Sequence, residues 1–113
     1  MSKSIKTKAV DELFNAILTL KTKEDCYKFF EDVCTVNELM SISQRLEVAR
    51  LLLQKTTYLD IARLTGASTA TISRVNRSLV YGSDGYSMVF ERLEELKEKE
   101  DPEEAEGSGG AGS

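Results

Sequence analysis

The 113-residue sequence contains no histidine, only two cysteines and no run of 18 apolar residues. The lack of histidine excludes Ser-His-Asp catalysis, Cys-His catalysis and most zinc sites. A glycine-rich phosphate loop is also missing, so an enzyme is the class that the sequence favours least. The sequence predicts no membrane span, and the first ten residues lack the apolar region of a secretory signal. We therefore expect a cytoplasmic protein without a metal site, in which Cys26 and Cys34 are reduced thiols.

Charge is distributed unevenly along the chain, whose net charge is −4. Residues 91–106 hold nine acids and three bases, whereas residues 41–80 hold six bases and two acids. Because screening limits electrostatic interactions to about 8 Å, a ligand docking on residues 41–80 would meet a positive surface. The acidic segment is typical of a solvated helix end, and deterring non-specific DNA binding is its alternative role.

Apolar residues recur at steps of three and four, which predicts an all-α chain of about six helices in one domain. Three threonines are each followed three positions later by an acid, which is the spacing of a capping box at a helix start: Thr22 and Asp25, Thr35 and Glu38, Thr57 and Asp60. The expected helices cover roughly residues 5–20, the segment after Thr22, a short helix over 35–40, a longer helix over 42–54, one from Thr57 to Gly66, and then 69–80 and 87–100.

The apolar stripes predict which side chains form the core. The four phenylalanines are expected to be core residues: Phe14, Phe29, Phe30 and Phe90. In the helix over 42–54 the inward side chains are expected to be Leu46, Ala49, Leu52 and Leu53. The strongly apolar face of the first helix is typical of a helix that packs on a second subunit.

The segment over 58–77 has the pattern of a helix-turn-helix. Two helices that cross steeply need a small residue at their contact, and Ala62 supplies it. The tight turn between them needs a left-handed residue, and Gly66 supplies it four positions later. Ile72 and Val75 are expected to anchor the second helix, on a small core that Ile61 and Leu64 also face.

This arrangement leaves short polar and basic side chains on the outer side of the second helix, which suit a DNA major groove: Thr69, Ala70, Ser73, Arg74 and Arg77. An ordinary helical hairpin is one alternative. It is disfavoured because a buried second helix would carry Leu or Phe in place of Thr69, Ser73 and Asn76. The other alternative is a protein-interaction module of the same fold that has lost DNA binding. The isoelectric point near 4.9 favours this alternative.

Residues 66–79 read Gly-Ala-Ser-Thr-Ala-Thr-Ile-Ser-Arg-Val-Asn-Arg-Ser-Leu and resemble the helix-turn-helix of the Trp repressor family, especially its YerC/YecD type. Its specific part is Ala-Thr-Ile-Ser-Arg over 70–74, followed by Ser78 and Leu79. Thr35 and Arg45 also resemble a Thr and an Arg of the family, and the similarity covers roughly residues 10–98. The resemblance implies an intertwined homodimer that binds a near-palindromic site in double-stranded DNA as a transcriptional repressor.

The resemblance also implies roles for individual residues. It places Thr69, Ala70, Thr71 and Ser73 on base edges or phosphates, and the full set of predicted DNA-binding residues adds Ser68, Arg74 and Arg77. A pocket, which holds tryptophan in the Trp repressor, is implied for a second set: Thr35, Arg45, Thr71, Arg74 and Ser78. This chain has Val75 where the Trp repressor has Gly, and a β-branched side chain there would fill the space that an indole needs.

The effector therefore stays open between none, an amino acid and a small anion. Two alternatives to a role in this pocket also stay open. Arg45 could form an ion pair with Glu47 or Glu38, and Arg74 could contact a phosphate. As a whole, the sequence predicts a helical DNA-binding domain over 1–100, with the helix-turn-helix at about 57–80. An acidic and then Gly/Ser-rich flexible tail is expected over 101–113.

Overall fold

The computed structural model describes residues 4–100, and within this range it contains six α-helices and no strand. The helices are α1 (Lys8–Ile17), α2 (Lys23–Val33), α3 (Val36–Leu53), α4 (Tyr58–Thr65), α5 (Thr69–Tyr81) and α6 (Gly85–Glu100). The all-α prediction is confirmed. The chain divides after Met40 into two compact units, of which residues 4–40 and 41–100 are described. The predicted tail over 101–113 lies outside the described residues.

One predicted helix boundary is wrong. The short helix over 35–40 and the longer helix over 42–54 are a single helix, α3. No glycine or proline lies between Val36 and Leu53, so nothing in the backbone interrupts the hydrogen-bond ladder. Ser41, where a break was expected, is helical and its hydroxyl accepts a hydrogen bond from Arg45 Nη1 at 2.9 Å. The first helix begins later than predicted, because the Thr7 hydroxyl caps it by accepting from the Val10 N–H, and it ends earlier, at Ile17.

One of the predicted capping boxes forms completely, and a second forms with a different backbone partner for its carboxylate. The Thr35 hydroxyl accepts from the Glu38 N–H at 3.1 Å, and Glu38 Oε1 accepts from the Thr35 N–H at 2.8 Å. At α2 the Thr22 hydroxyl accepts from the Asp25 N–H, while Asp25 Oδ2 accepts from the Lys21 N–H. These backbone N–H bonds lower the pKa of Glu38 and that of Asp25 below their ordinary values. Both bonds therefore stabilise the fold at pH values above the ordinary pKa of each carboxyl group. This stabilisation is lost as the pH falls through the pKa of the folded state.

Only one of the two hydrogen bonds of the third predicted capping box forms. The Thr57 hydroxyl accepts from the Asp60 N–H at 3.2 Å and so caps α4. The Asp60 carboxylate, however, accepts from Arg63 on the next turn instead of returning to the cap. This arrangement still places a negative charge in the first turn of α4, which complements the helix dipole.

The core of the second unit is small and comes from α3, α4, α5 and the turn between the last two. Its buried members are Val48, Ala49, Leu51, Ile61, Ala67, Ile72 and Val75. The predicted anchoring by Ile61, Ile72 and Val75 is confirmed. Leu64, however, is 60% exposed, so the prediction that it faces this core is wrong. Tyr86 and Phe90 of α6 pack against the edge of the cluster.

The stripe predicted for α3 is wrong for two of its members. Ala49 is buried and Leu52 packs against the core, but Leu46 and Leu53 are exposed, and Val48 and Leu51 are buried instead. At about 100° per residue, Ile42, Leu46 and Leu53 lie together on the side of α3 opposite Gln44, Val48 and Leu51, with Ala49 and Leu52 between the two sets. The first set is called the uncovered face of α3 below, and the second its packed face.

The first unit contains no buried side chain among its described residues. Phe29 and Phe30 are half-buried and meet edge to face, with ring centroids 5.3 Å apart. Phe14 is half exposed, so its prediction as a core residue is wrong for the single chain. A shallow apolar groove in this unit is lined by Lys23, Cys26, Tyr27, Phe30 and Leu39.

Replacing Gly66 by Ala is expected to destabilise the protein by about 1 kcal/mol, because its φ of +75° disfavours any side chain. Nothing lies within 4 Å of a Cβ built there, so the substitution tests backbone strain alone. Gly85→Ala is the matched control, since its surroundings are equally open and alanine favours the first turn of α6. Denaturant unfolding at one protein concentration measures both variants. Equal destabilisation of the two would contradict the role of Gly66.

Candidate nucleic-acid interface

Helices α4 and α5 form a helix-turn-helix connected by residues 66–68. Gly66 ends α4 in the left-handed conformation, and its N–H donates to the Ala62 carbonyl at 2.9 Å. Ala62 is half-buried and packs against the core, as expected of the small residue where the two helices meet. The helix-turn-helix pattern predicted from Ala62, Gly66 and the apolar anchors is therefore present in the structure.

Two side chains for which the sequence predicted no role hold the turn. The Thr65 hydroxyl donates to the Ile61 carbonyl at 2.7 Å and accepts from the Ala67 N–H at 3.1 Å. The Thr65 carbonyl accepts from Gln44 Nε2 of α3 at 3.2 Å. Sequence reasoning missed both residues, and for Gln44 no sequence signal existed, because its partner lies 21 positions away.

Helix α5 begins at a serine cap, as predicted. The Ser68 hydroxyl accepts from the Thr71 N–H at 3.1 Å and donates to the Thr71 hydroxyl oxygen at 3.1 Å. At the other end the Gly82 N–H donates to the Ser78 carbonyl at 2.9 Å. A Cβ at residue 82 would collide with that carbonyl, so the chain leaves the helix at a position that only glycine fits.

The two sides of α5 differ sharply in exposure. Ile72 and Val75 are buried, and Thr71, Asn76 and Leu79 flank them half-buried. The exposed residues occupy about half of the helix circumference and form what we term the outer face of α5: Thr69, Ala70, Ser73, Arg74, Arg77, Ser78, Val80 and Tyr81. The structure thus brings five predicted DNA contacts together on this face, with Ser68 at its start. Thr71 lies at its border.

The outer face of α5 is electropositive. Residues 69–81 include Arg74 and Arg77 and no acid. Within residues 4–100 neither arginine has a salt bridge, whereas Arg50 pairs with Glu47 and Arg63 with Asp60. Two free guanidinium groups and a capped helix N-terminus are groups that bind phosphate oxygens.

The residues expected to form an effector pocket are distributed over both units. Thr35 lies in the first unit, where its hydroxyl caps α3. In the second unit Thr71, Arg74 and Ser78 have i, i+3, i+7 spacing and share one stripe of α5. Arg45 is half-buried on α3 and bonds to Ser41.

Neither ion pair considered for Arg45 is present among the described residues. The Glu47 carboxylate pairs with Arg50, and the Glu38 carboxylate accepts from the Thr35 N–H. Val75, the residue that departs from the family pattern, is 2% exposed and belongs to the core. Its side chain therefore lies in the core and not on the outer face of α5.

Residues 4–100 contain no group of three or more His, Cys, Asp or Glu side chains arranged to hold a metal ion. No helix in this part of the chain is long and apolar enough to cross a membrane.

Comparison with known proteins identifies the family. The Trp repressor protein family matches residues 8–94, which include all six helices except the end of α6. The chain belongs to the Trp repressor family. This is a family of DNA-binding regulators and not of enzymes, so the resemblance noted over residues 66–79 is confirmed at the level of the family.

Relatives support the same assignment. YerC of Bacillus subtilis (strain 168), an uncharacterized protein, is 56% identical over 93 residues, which are 82% of this chain and 89% of YerC. A TrpR-like protein from Eubacterium eligens ATCC 27750 has a crystal structure that matches with a TM-score of 0.77 at 67% identity, covering 79% of this chain and 92% of that one. A crystal structure from Staphylococcus aureus matches with a TM-score of 0.76 at 56% identity, covering 79% and 89%.

Replacing Ser68 by Ala is expected to lower stability by about 1 kcal/mol, because the Thr71 N–H is then left without its acceptor at the start of α5. Ser73→Ala is the matched control. Ser73 is exposed inside α5, where alanine is the better helix former, so stability should stay constant or rise slightly. Thermal and denaturant unfolding compare the two variants, and a control that is destabilised as much as Ser68→Ala would refute the cap assignment.

Proposed function

We propose that the protein is a sequence-specific transcriptional repressor that binds double-stranded DNA as a homodimer, with α5 as its recognition helix. The outer face of α5 carries the proposal. It combines short polar side chains, two arginines without ion-pair partners among the described residues, and no acid. Such a surface matches both the base edges of a major groove and the phosphates that border it.

Two roles are proposed within this face. Thr69, Ala70 and Ser73 lie in the first turns of α5, the part of a recognition helix that contacts base edges. Arg77 lies one turn further along and is assigned to the phosphate backbone, with Ser68 at the helix start. Arg74, on this face, and Thr71, at its border, are assigned to phosphates or to an effector.

The apolar surface of the single chain supports a homodimer. Within residues 4–100, α1, α2 and α6 contribute no buried residue, yet Leu13, Phe14, Leu93 and Leu96 are each more than one-third exposed. The uncovered face of α3 adds further apolar area. A soluble monomer rarely exposes so much apolar surface, whereas an obligate dimer often has no stable folded monomer.

The protein is expected to sediment with twice the 12.6 kDa mass of one chain. The dimer should not dissociate into monomers at micromolar protein concentrations. Leu46→Glu places a charge on the uncovered face of α3 and is expected to give single chains or loss of folding. Leu59→Glu is the control, because Leu59 of α4 is 80% exposed. Sedimentation equilibrium measures the masses, and a wild-type protein of single-chain mass would refute the homodimer.

A candidate effector site is proposed at the stripe of Thr71, Arg74 and Ser78, with Arg45 as a further candidate, while Thr35 of the first unit stays a prediction from the resemblance. Two hydroxyls and a guanidinium group suit a small anion or the carboxylate of an amino acid. Tryptophan is disfavoured, because this chain carries the β-branched Val75 where the Trp repressor has Gly. A ligand would regulate DNA binding here only through different affinities for two arrangements of α5.

Arg77→Ala is expected to weaken binding to all DNA sequences alike and to make the slope of log affinity against log salt shallower by about one. Ser73→Ala and Thr69→Ala are expected to change the preferred bases, by about 1 kcal/mol at the affected position. The measurement is selection from a random duplex library at about 50 mM salt, followed by titration of the selected site. Adding tryptophan should leave the affinity unchanged.

Arg92→Ala is the matched control, since it removes the same charge from α6. Equal effects of Arg77→Ala, Ser73→Ala and Thr69→Ala on every sequence would contradict the assigned roles. Absence of any bound DNA would favour the second candidate function, a protein-interaction module of the same fold. The observation that favours this candidate is α6 itself, where Leu93 and Leu96 are exposed among glutamates.

A further inference from the structure

One side chain of α3 connects that helix to the turn of the helix-turn-helix. Gln44 shares the packed face of α3 with Val48 and Leu51, at i, i+4 and i+7. Val48 and Leu51 are buried against α4 and α5, and Gln44 extends the same face to the end of α4. The packed face is therefore apolar at its centre and polar where it meets the turn.

The hydrogen bond at this point has a defined direction. Gln44 Nε2 donates to the Thr65 carbonyl at 3.2 Å, and both residues are half-buried. A carbonyl only accepts, so the amide nitrogen is the atom that faces it. Carbonyls at a helix C-terminus have no partner within the helix, and Gln44 satisfies this one at the last residue of α4.

Thr65, which Gln44 contacts, is itself hydrogen-bonded to the turn. Its hydroxyl donates to the Ile61 carbonyl and accepts from the Ala67 N–H, and Ser68, which caps α5, follows directly. Thr65 thus holds the turn from α4 while Gln44 holds Thr65 from α3. The apolar contacts of Ile61, Ile72 and Val75 are non-directional, whereas a hydrogen bond weakens steeply when its angle changes.

We propose that Gln44 is a positioning residue that sets the orientation of α5 relative to α3, and thereby the distance between the two recognition helices of the dimer. The inference rests on the proposed function. The inference follows from the two faces of α3. Gln44 lies on the packed face, and the uncovered face is the one proposed to meet the second copy. A shift of α5 on α3 then changes the spacing of the half-sites that the dimer can bind.

The test uses two substitutions of similar size that remove the donor. Gln44→Met leaves the Thr65 carbonyl without its partner, and Gln44→Glu directs a carboxylate oxygen at it. Gln54→Met is the matched control, since Gln54 is exposed just after α3. Each full-length protein selects duplexes from a library with a random central region, and the spacing between inverted half-sites is counted. Thermal unfolding in parallel measures stability.

Wild type and Gln54→Met are expected to select one spacing. Both Gln44 variants should select the same half-site sequence at two or more spacings, and bind the wild-type site about fivefold more weakly, the factor that one hydrogen bond contributes. A residue that only stabilises the fold would lower the melting temperature and leave the single spacing unchanged.

A single unchanged spacing for both Gln44 variants, when the wild type yields a site, would overturn this inference and leave the proposed function intact. A wild-type protein that selects no half-site at all would overturn the proposed function, and this inference with it. The two failures are therefore distinguished by the wild-type selection alone.

Discussion

The packing of α4 and α5 on one face of α3 is the interaction on which the rest of the described structure depends. All the buried side chains within residues 4–100 belong to this cluster, and Val48, Ile61 and Ile72 are its fully buried centre. Burial of Ile72 and Val75 orients α5, because residues on the opposite side of the same helix must then point outward. Exposure of Ser73, Arg74 and Arg77 is a consequence of this packing.

Helix α3 connects the parts that the proposed function requires. Its packed face holds α4 and α5, and its uncovered face carries apolar side chains that the single chain does not bury. A helix with apolar residues on two opposite sides is stable only when both are covered, which is why a second copy is proposed. The same helix therefore connects α5 to the proposed dimer interface, and Gln44 contacts the end of α4 from its packed face.

Local sequence signals predicted local structure well. The caps at Thr22, Thr35 and Ser68 and the left-handed turn at Gly66 each depend on atoms within a few residues, so pattern and geometry agree. The expected break at Ser41 is wrong because no residue between Val36 and Leu53 interrupts a helix. The roles of the individual contact and pocket residues stay predictions.

The sequence alone determined the helical class, the position of the helix-turn-helix, the polar outer face of α5 and the resemblance to the Trp repressor family. These features follow from residue types at short spacings. The tertiary structure decided which apolar stripe of α3 is buried, that Leu46 and Leu64 are exposed, and that Gln44 bonds to Thr65. Periodicity shows that a helix has an apolar face, but the surface that covers it comes from a distant part of the chain or from another chain, so only the assembled fold can determine it.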